Sequence, residues 1–230
     1  MTDLSSTLNG RLLLVRHART HDNIAERLAG WTDSVIHEES LIAAEQVAAF
    51  LRDNYQIDYL YCSPLQRARI TAGIIGLAIR QEPIEDEGLK EMHFGIAEGL
   101  TKEEFAAAHP EVHAAWQAAV GDLSFAWPKG ESRTDFQERI KTTINRLVGQ
   151  HPGQTVLAVS HGGAIGGYVA FTCDRGLEVW SKYQPDNCSV TEIVFTDGRA
   201  ELIRFNDTSF LTHETTLPLA TEAEAESRLG

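Results

Sequence analysis

The chain is poor in cysteine: there are three in 230 residues, and Cys62, Cys173 and Cys188 show no Cys-x-x-Cys spacing. An odd, scattered set argues against a disulfide framework and a structural zinc site and suits a reducing compartment, so a cytoplasmic location is expected. Long apolar runs are also lacking. Leu12 to Val15 is far too short for a membrane span, and Met1 to Gly10 is polar and without basic residues, so neither export nor a membrane partner is expected. Basic residues are scarce, with 20 Lys and Arg against 33 Asp and Glu and a net charge of −13. Such a field repels nucleic acid, so an anionic small molecule must be caught by a local cluster of Arg and His.

What is present, 43% hydrophobic and 23% charged residues, fills the core of one ordinary α/β domain. Residues 1–212 are read as that domain. Beyond His213 the chain turns acidic and rich in Ala and Thr, so residues 213–230 are expected to form a mobile tail. There is no internal repeat.

Leu12 to Val15 reads as a buried central strand with Arg16 and His17 at its carboxyl end. Leu41, Ala44, Ala48 and Leu51 recur at helical spacing, and Ile57 to Cys62 is the next strand. Ser63 and Pro64 are expected to cap and start a helix whose buried face is Ala68, Ala72, Ile75 and Ile79, which puts Arg67 on its first turn. Residues 89–130 read as a loop and one or two helices, broken at His109-Pro110 and Gly121, inserted over the site. Ser132 and Asp135 cap a helix carrying Phe136, Ile140, Ile144 and Leu147, and a strand from Thr155 to Val159 follows. Ser160-His161-Gly162-Gly163 then breaks into a helix from Ala164 to Phe171. Val190 to Phe195 and Ala200 to Phe205 form a hairpin turning at Thr196 to Arg199, which makes the sheet mixed.

Two strand ends thus deliver a histidine, His17 and His161, and ligands of open α/β sheets bind at such ends. Arg16 and Arg67 bring fork-shaped donors that match phosphate oxygens, and backbone N–H groups near Gly162 add to them. Together they describe a phosphate pocket.

At these residues the chain resembles the histidine phosphatase superfamily, also called phosphoglycerate mutase-like. The resemblance runs from Leu14-Val15-Arg16-His17-Ala18-Arg19-Thr20, with Asn23 at the family's phosphate-binding asparagine, through Tyr61 to Ala68, Leu89 to Gly99 and Gly130-Glu131-Ser132, to Val159-Ser160-His161-Gly162-Gly163, covering residues 11–205. It implies a three-layer α/β sandwich, with a mostly parallel central sheet flanked by helices, a helical insertion and a C-terminal hairpin. It also implies a phosphohistidine intermediate on His17, a phosphoryl grip by Arg16, Asn23, Arg67, His161 and Gly162, Glu91 as proton donor, and no metal or other cofactor. An imidazole nucleophile must be neutral, and two guanidinium neighbours lower its pKa. Glu91 sits beside Met92 and Phe94, which is compatible with the burial that keeps a carboxyl protonated.

Two departures stand out. Ala18 replaces the glycine usual after the catalytic histidine, and residues 33–39 lack the family's Pro-Leu-Thr-x-x-Gly pattern. Within the family, mutases carry a tyrosine where Phe94 stands and paired arginines further on. No Arg or Lys occurs between Lys102 and Lys129, which favours a phosphatase acting on a small phosphomonoester over a mutase.

The alternatives are a phosphoglycerate mutase-type transferase, a catalytically silent phospho-ligand binder, and a serine hydrolase on Ser160, whose only downstream histidine is His213. His109 and His113 have the spacing of a metal pair but no evident third ligand. Trp116, Trp127 and Trp180 can line a pocket or an interface, which leaves a homodimer open.

Overall fold

A computed structural model of the chain describes residues 8–120, 122–174 and 182–212. Leu12 to Val15 carry apolar side chains at every position because both faces of their strand are covered. Strand β1 (Gly10–Arg16) lies at the centre of a six-stranded sheet ordered β3-β2-β4-β1-β5-β6, with β2 Tyr59–Cys62, β3 Ile84–Glu85, β4 Thr155–Ser160, β5 Val190–Thr196 and β6 Arg199–Asp207. Strands β1 to β4 run parallel and β5 runs against them, so the sheet is mixed, as the terminal hairpin required. Asp197 and Gly198, the two turn residues between β5 and β6, both have positive φ (48° and 76°), the conformation that lets a two-residue loop follow the strand twist.

Leu13 and Val15 pack against α2 (Ser40–Asn54) and α3 (Gln66–Ile79) through Ala44, Val47, Leu51, Ala72 and Ile75. Leu12 and Leu14 face α6 (Arg133–Gln150) and α7 (Gly162–Val169) through Phe136, Ile140, Ile144 and Ile165. The result is a helix–sheet–helix sandwich. Phe136 is fully buried, and its truncation to alanine would cost about 3–5 kcal/mol.

Short α1 (His21–Ile24) follows β1, and α4 (Lys102–Ala108) and α5 (Pro110–Ala118) occupy the region of the expected insertion. Pro110 starts α5, while Trp127 is buried against Phe105 and Trp116. Among the described residues no helix is long and apolar enough to cross a membrane. Trp180, Gly121, His213 and the tail lie outside the described residues.

The α3 start differs from the sequence expectation. The helix begins at Gln66, and Leu65 precedes it without a side-chain cap. The Gln66 N–H is capped from 33 residues away by Asp33 Oδ1 at 2.9 Å, which frees Ser63 for another partner. Arg67 remains on the first turn. Ile79, expected on the buried face, is only half-buried.

Candidate active site

Register assembles the site. Arg16 pairs with Ser160 across the parallel β1–β4 ladder, so His17 and His161 emerge one residue beyond on adjacent strands. Their ring centroids are 5.2 Å apart and both side chains are buried, at 3% and 0% exposure.

His17 Nδ1 donates to the Ala18 carbonyl at 2.8 Å. A carbonyl only accepts, so in the neutral ring the proton sits on Nδ1 and the lone pair on Nε2. Burial first, then Arg67 and Arg16, hold His17 well below the ordinary imidazole value of 6.5. The sequence reading credited the two arginines; desolvation is the larger cause.

His161 is held low by burial and then by Arg67. Its Nε2 lies 2.7 Å from Ser63 Oγ, which also accepts the Leu65 N–H at 3.3 Å. When the Ser63 hydroxyl donates to Nε2, the His161 proton sits on Nδ1. That Nδ1 is buried with no hydrogen-bond partner among the described residues, and so is Arg16 Nε. Arg16 Nη1 is anchored on the Pro185 carbonyl at 2.8 Å, and a Cβ built on Gly162 would lie 3.3 Å from Arg16 Nε, so this guanidinium sits against the first turn of α7. Two orphaned cationic or polar donors and a helix N-terminus therefore converge, an arrangement that suits an anion.

Arg67 is 2% exposed, and its fork donates to Thr32 O at 2.9 Å and Gly30 O at 2.6 Å. Asn23, inside a capping box with Thr20, uses Oδ1 to accept the Thr20 N–H at 3.2 Å and an Asn187 N–H at 3.3 Å, so its own amide N–H groups are what it offers a ligand.

Glu91 is held by two backbone donors. Its Oε1 accepts the Met92 N–H at 2.9 Å and its Oε2 the Gly163 N–H at 2.8 Å. The second of these ties Glu91 to the helix that His161 caps. The loop carrying Glu91 is fastened by Arg139, which forms a bidentate pair with Glu131 and donates to the carbonyls of Gly88, Lys90 and Glu91. All the site residues expected from sequence (Arg16, His17, Asn23, Arg67, Glu91, His161 and Gly162) thus belong to one neighbourhood.

Sequence reasoning missed Asn187, which donates to the His17 carbonyl at 2.8 Å, and Pro185, Trp31 and Arg139. A loop residue acting through its backbone leaves no periodic signal. Ser160, the rival nucleophile, is 1% exposed and its hydroxyl donates to the Leu89 carbonyl at 2.7 Å. His109 and His113 both pack on Phe105, and among the described residues no group of three His, Cys, Asp or Glu is placed to hold a metal. Ala18 is fully buried without a positive φ, so the departure from glycine carries no backbone strain.

A bifunctional protein of Mycobacterium tuberculosis is 32% identical over 202 residues, which is 87% of this chain and 55% of that protein, so the chain spans about half that relative's length. A metal-independent phosphoserine phosphatase of Arabidopsis thaliana is 33% identical over 155 residues, 67% of this chain and 65% of its own. Among solved structures, a phosphoserine phosphatase from Entamoeba histolytica in complex with 3-phosphoglyceric acid superposes with a TM-score of 0.76 at 28% identity, covering 88% of this chain and all of that one. The model of the histidine phosphatase superfamily (branch 1) matches residues 12–208, a span that runs from β1 past β6, and the chain belongs to that family.

Proposed function

We propose that the chain is a metal-independent phosphomonoesterase that hydrolyses a small phosphorylated metabolite through a phosphohistidine on His17. The observation that carries this reading is the pair of buried nitrogens without a hydrogen-bond partner among the described residues, Arg16 Nε and His161 Nδ1, beside a neutral imidazole. Arg16, Arg67, Asn23, His161 and the Gly162 N–H hold the phosphoryl oxygens, and residues 89–130 cover the leaving group. His17 Nε2 attacks phosphorus as the ester P–O bond breaks, and the Glu91 carboxyl gives its proton to the departing oxygen. Glu91 then takes a proton from water, whose oxygen attacks phosphorus and breaks the P–N bond. Inorganic phosphate leaves and His17 is regenerated. The guanidinium groups offset charge on the equatorial oxygens throughout.

Hydrolysis is favoured over phosphoryl return by the lack of cations between Lys102 and Lys129, the stretch that forms α4 and α5, and by Phe94, whose ring packs edge-on against Trp127 instead of offering a hydroxyl. Relatives named as phosphoserine phosphatases support the same choice.

The test is a rapid quench with an aryl phosphate. A phosphoenzyme stable in base and labile in acid is expected, together with slow or no conversion of 3-phosphoglycerate to its 2-isomer in the presence of a bisphosphate primer. Fast isomerisation would assign the chain to the mutases, and fluorophosphonate labelling of Ser160 without a phosphoenzyme would assign it to the serine hydrolases.

A further inference from the structure

We infer that Glu98 is a positioning residue for this reaction, setting both Arg67 and Glu91 through the three-residue segment 30–32. The inference rests on the phosphatase reading above. An acid in a loop is ordinarily solvated, yet the Glu98 side chain is 13% exposed and turned inward. Its Oε1 accepts the N–H groups of Trp31 at 2.9 Å and Phe94 at 3.1 Å and lies 3.0 Å from His93 Nδ1. Its Oε2 accepts the Thr32 N–H at 3.1 Å and the Thr32 hydroxyl at 2.9 Å.

The same short segment faces the chemistry on its other side. Gly30 O and Thr32 O receive the two arms of the Arg67 fork, and the Trp31 indole N–H donates to the Glu91 carbonyl at 2.7 Å. The Gly30–Trp31 peptide therefore lies between a carboxylate and a guanidinium, its N–H donating to the first and its C=O accepting from the second, and Thr32 reaches both charges through its own N–H and C=O. Each charge polarises the peptides in the sense that strengthens the other's bonds, a relay between Glu98 and Arg67 with no direct contact. Gly30 makes this possible: at φ +51° it has no Cβ, and one placed there would overlap the Glu98 carboxylate.

Both oxygens of Glu98 act only as acceptors, so a glutamine would turn an amide N–H toward donors on one side. Displacing a phosphate-holding fork by a fraction of an ångström to one ångström costs up to about a hundredfold in rate. The experiment compares two esters. Dinitrophenyl phosphate expels a leaving group that needs no proton, so its kcat/KM, which covers only the steps through phosphoryl transfer to His17, reports Arg67 without the Glu91 proton, whereas kcat/KM on an alkyl phosphate also requires Glu91. Glu98→Gln is expected to lower kcat/KM on the dinitrophenyl ester about tenfold or more, through kcat more than KM, and to lower kcat/KM further on the alkyl ester. In an Arg67→Ala background the same substitution should cost the dinitrophenyl ester less than about threefold. Glu98→Asp, which keeps the charge and shortens its reach, serves as a second variant expected to fall between wild type and Glu98→Gln. Circular dichroism and melting establish that each variant is folded.

Activity of both folded variants within threefold of wild type, or an undiminished loss in the Arg67→Ala background, would overturn the role. Equal losses on the two esters would remove the arm that reaches Glu91. A wild-type protein that turns over neither ester would overturn the phosphatase reading itself.

Discussion

Ser63 Oγ and His161 Nε2 lie 2.7 Å apart, with both side chains fully buried and the two residues 98 positions apart in the sequence. With the Ser63 hydroxyl donating across this contact, the His161 proton is on Nδ1, where it can be given to a phosphoryl oxygen. Ser63→Ala strands Nε2 and frees the tautomer. Urea unfolding should show a loss of about 1–3 kcal/mol from the unsatisfied nitrogen, and steady-state assays a fall in kcat of about tenfold. Unchanged kinetics would remove Ser63 from the site.

Stability should depend on pH through the same two rings. Folded His17 and His161 sit well below 6.5, whereas the unfolded chain restores both to about 6.5. Between the folded and unfolded values the unfolded state binds more protons, so stability is full above about pH 6.5 and is lost as pH falls, by up to about 1.4 kcal/mol per unit for each histidine. His151, lowered by partial burial, moves in the same direction. Urea titrations from pH 7.5 to 5.0 measure the slope, and His161→Gln should remove one histidine's share. A flat profile would contradict the buried neutral rings.

Gly163→Ala isolates the proton donor. The added Cβ would overlap the Glu91 carboxylate, the mobile end of its side chain, so the fold survives while the carboxylate moves. Loss of positioned general acid–base catalysis is worth about 10²–10⁴-fold. The expected result is a large drop in kcat/KM on alkyl phosphates, a small one in kcat/KM on activated aryl phosphates, whose leaving group needs no proton, and unchanged competitive inhibition by inorganic phosphate. Weakened phosphate inhibition would show that the substitution disturbs the phosphoryl grip instead.

His17→Ala should abolish turnover of an aryl phosphate, and chelator should leave wild-type turnover intact. Turnover by the alanine variant at the wild-type rate would end the nucleophile assignment.

Ala18 is a packed methyl group, not a defective glycine: it is fully buried, and its N–H donates to Thr71 Oγ1 at 2.9 Å. Ala18→Gly removes that methyl and adds backbone freedom to the unfolded chain, and should destabilise by about 1–2 kcal/mol without raising activity. A gain in kcat would mean that the methyl obstructs the site.

The two histidines were legible because short apolar strands ending in polar residues leave few other arrangements, and Arg67 because helical periodicity placed it on a first turn. The α3 start was misread because its cap comes from Asp33, across the fold. β3 escaped because two exposed residues, Ile84 and Glu85, make no pattern. Asn187 and Glu98 act through backbone groups of distant loops, and such contacts become visible only once the register of β1 against β4 has brought the loops together.

That register also bears on how the protein is made. β1, residues 10–16, pairs along one edge with β4, residues 155–160, and along the other with β5, residues 190–196. On the ribosome this strand, with its four consecutive apolar residues, emerges before either partner and waits with both edges bare until β4 and β5 have been made, an opening for misassembly between neighbouring nascent chains and for chaperone capture.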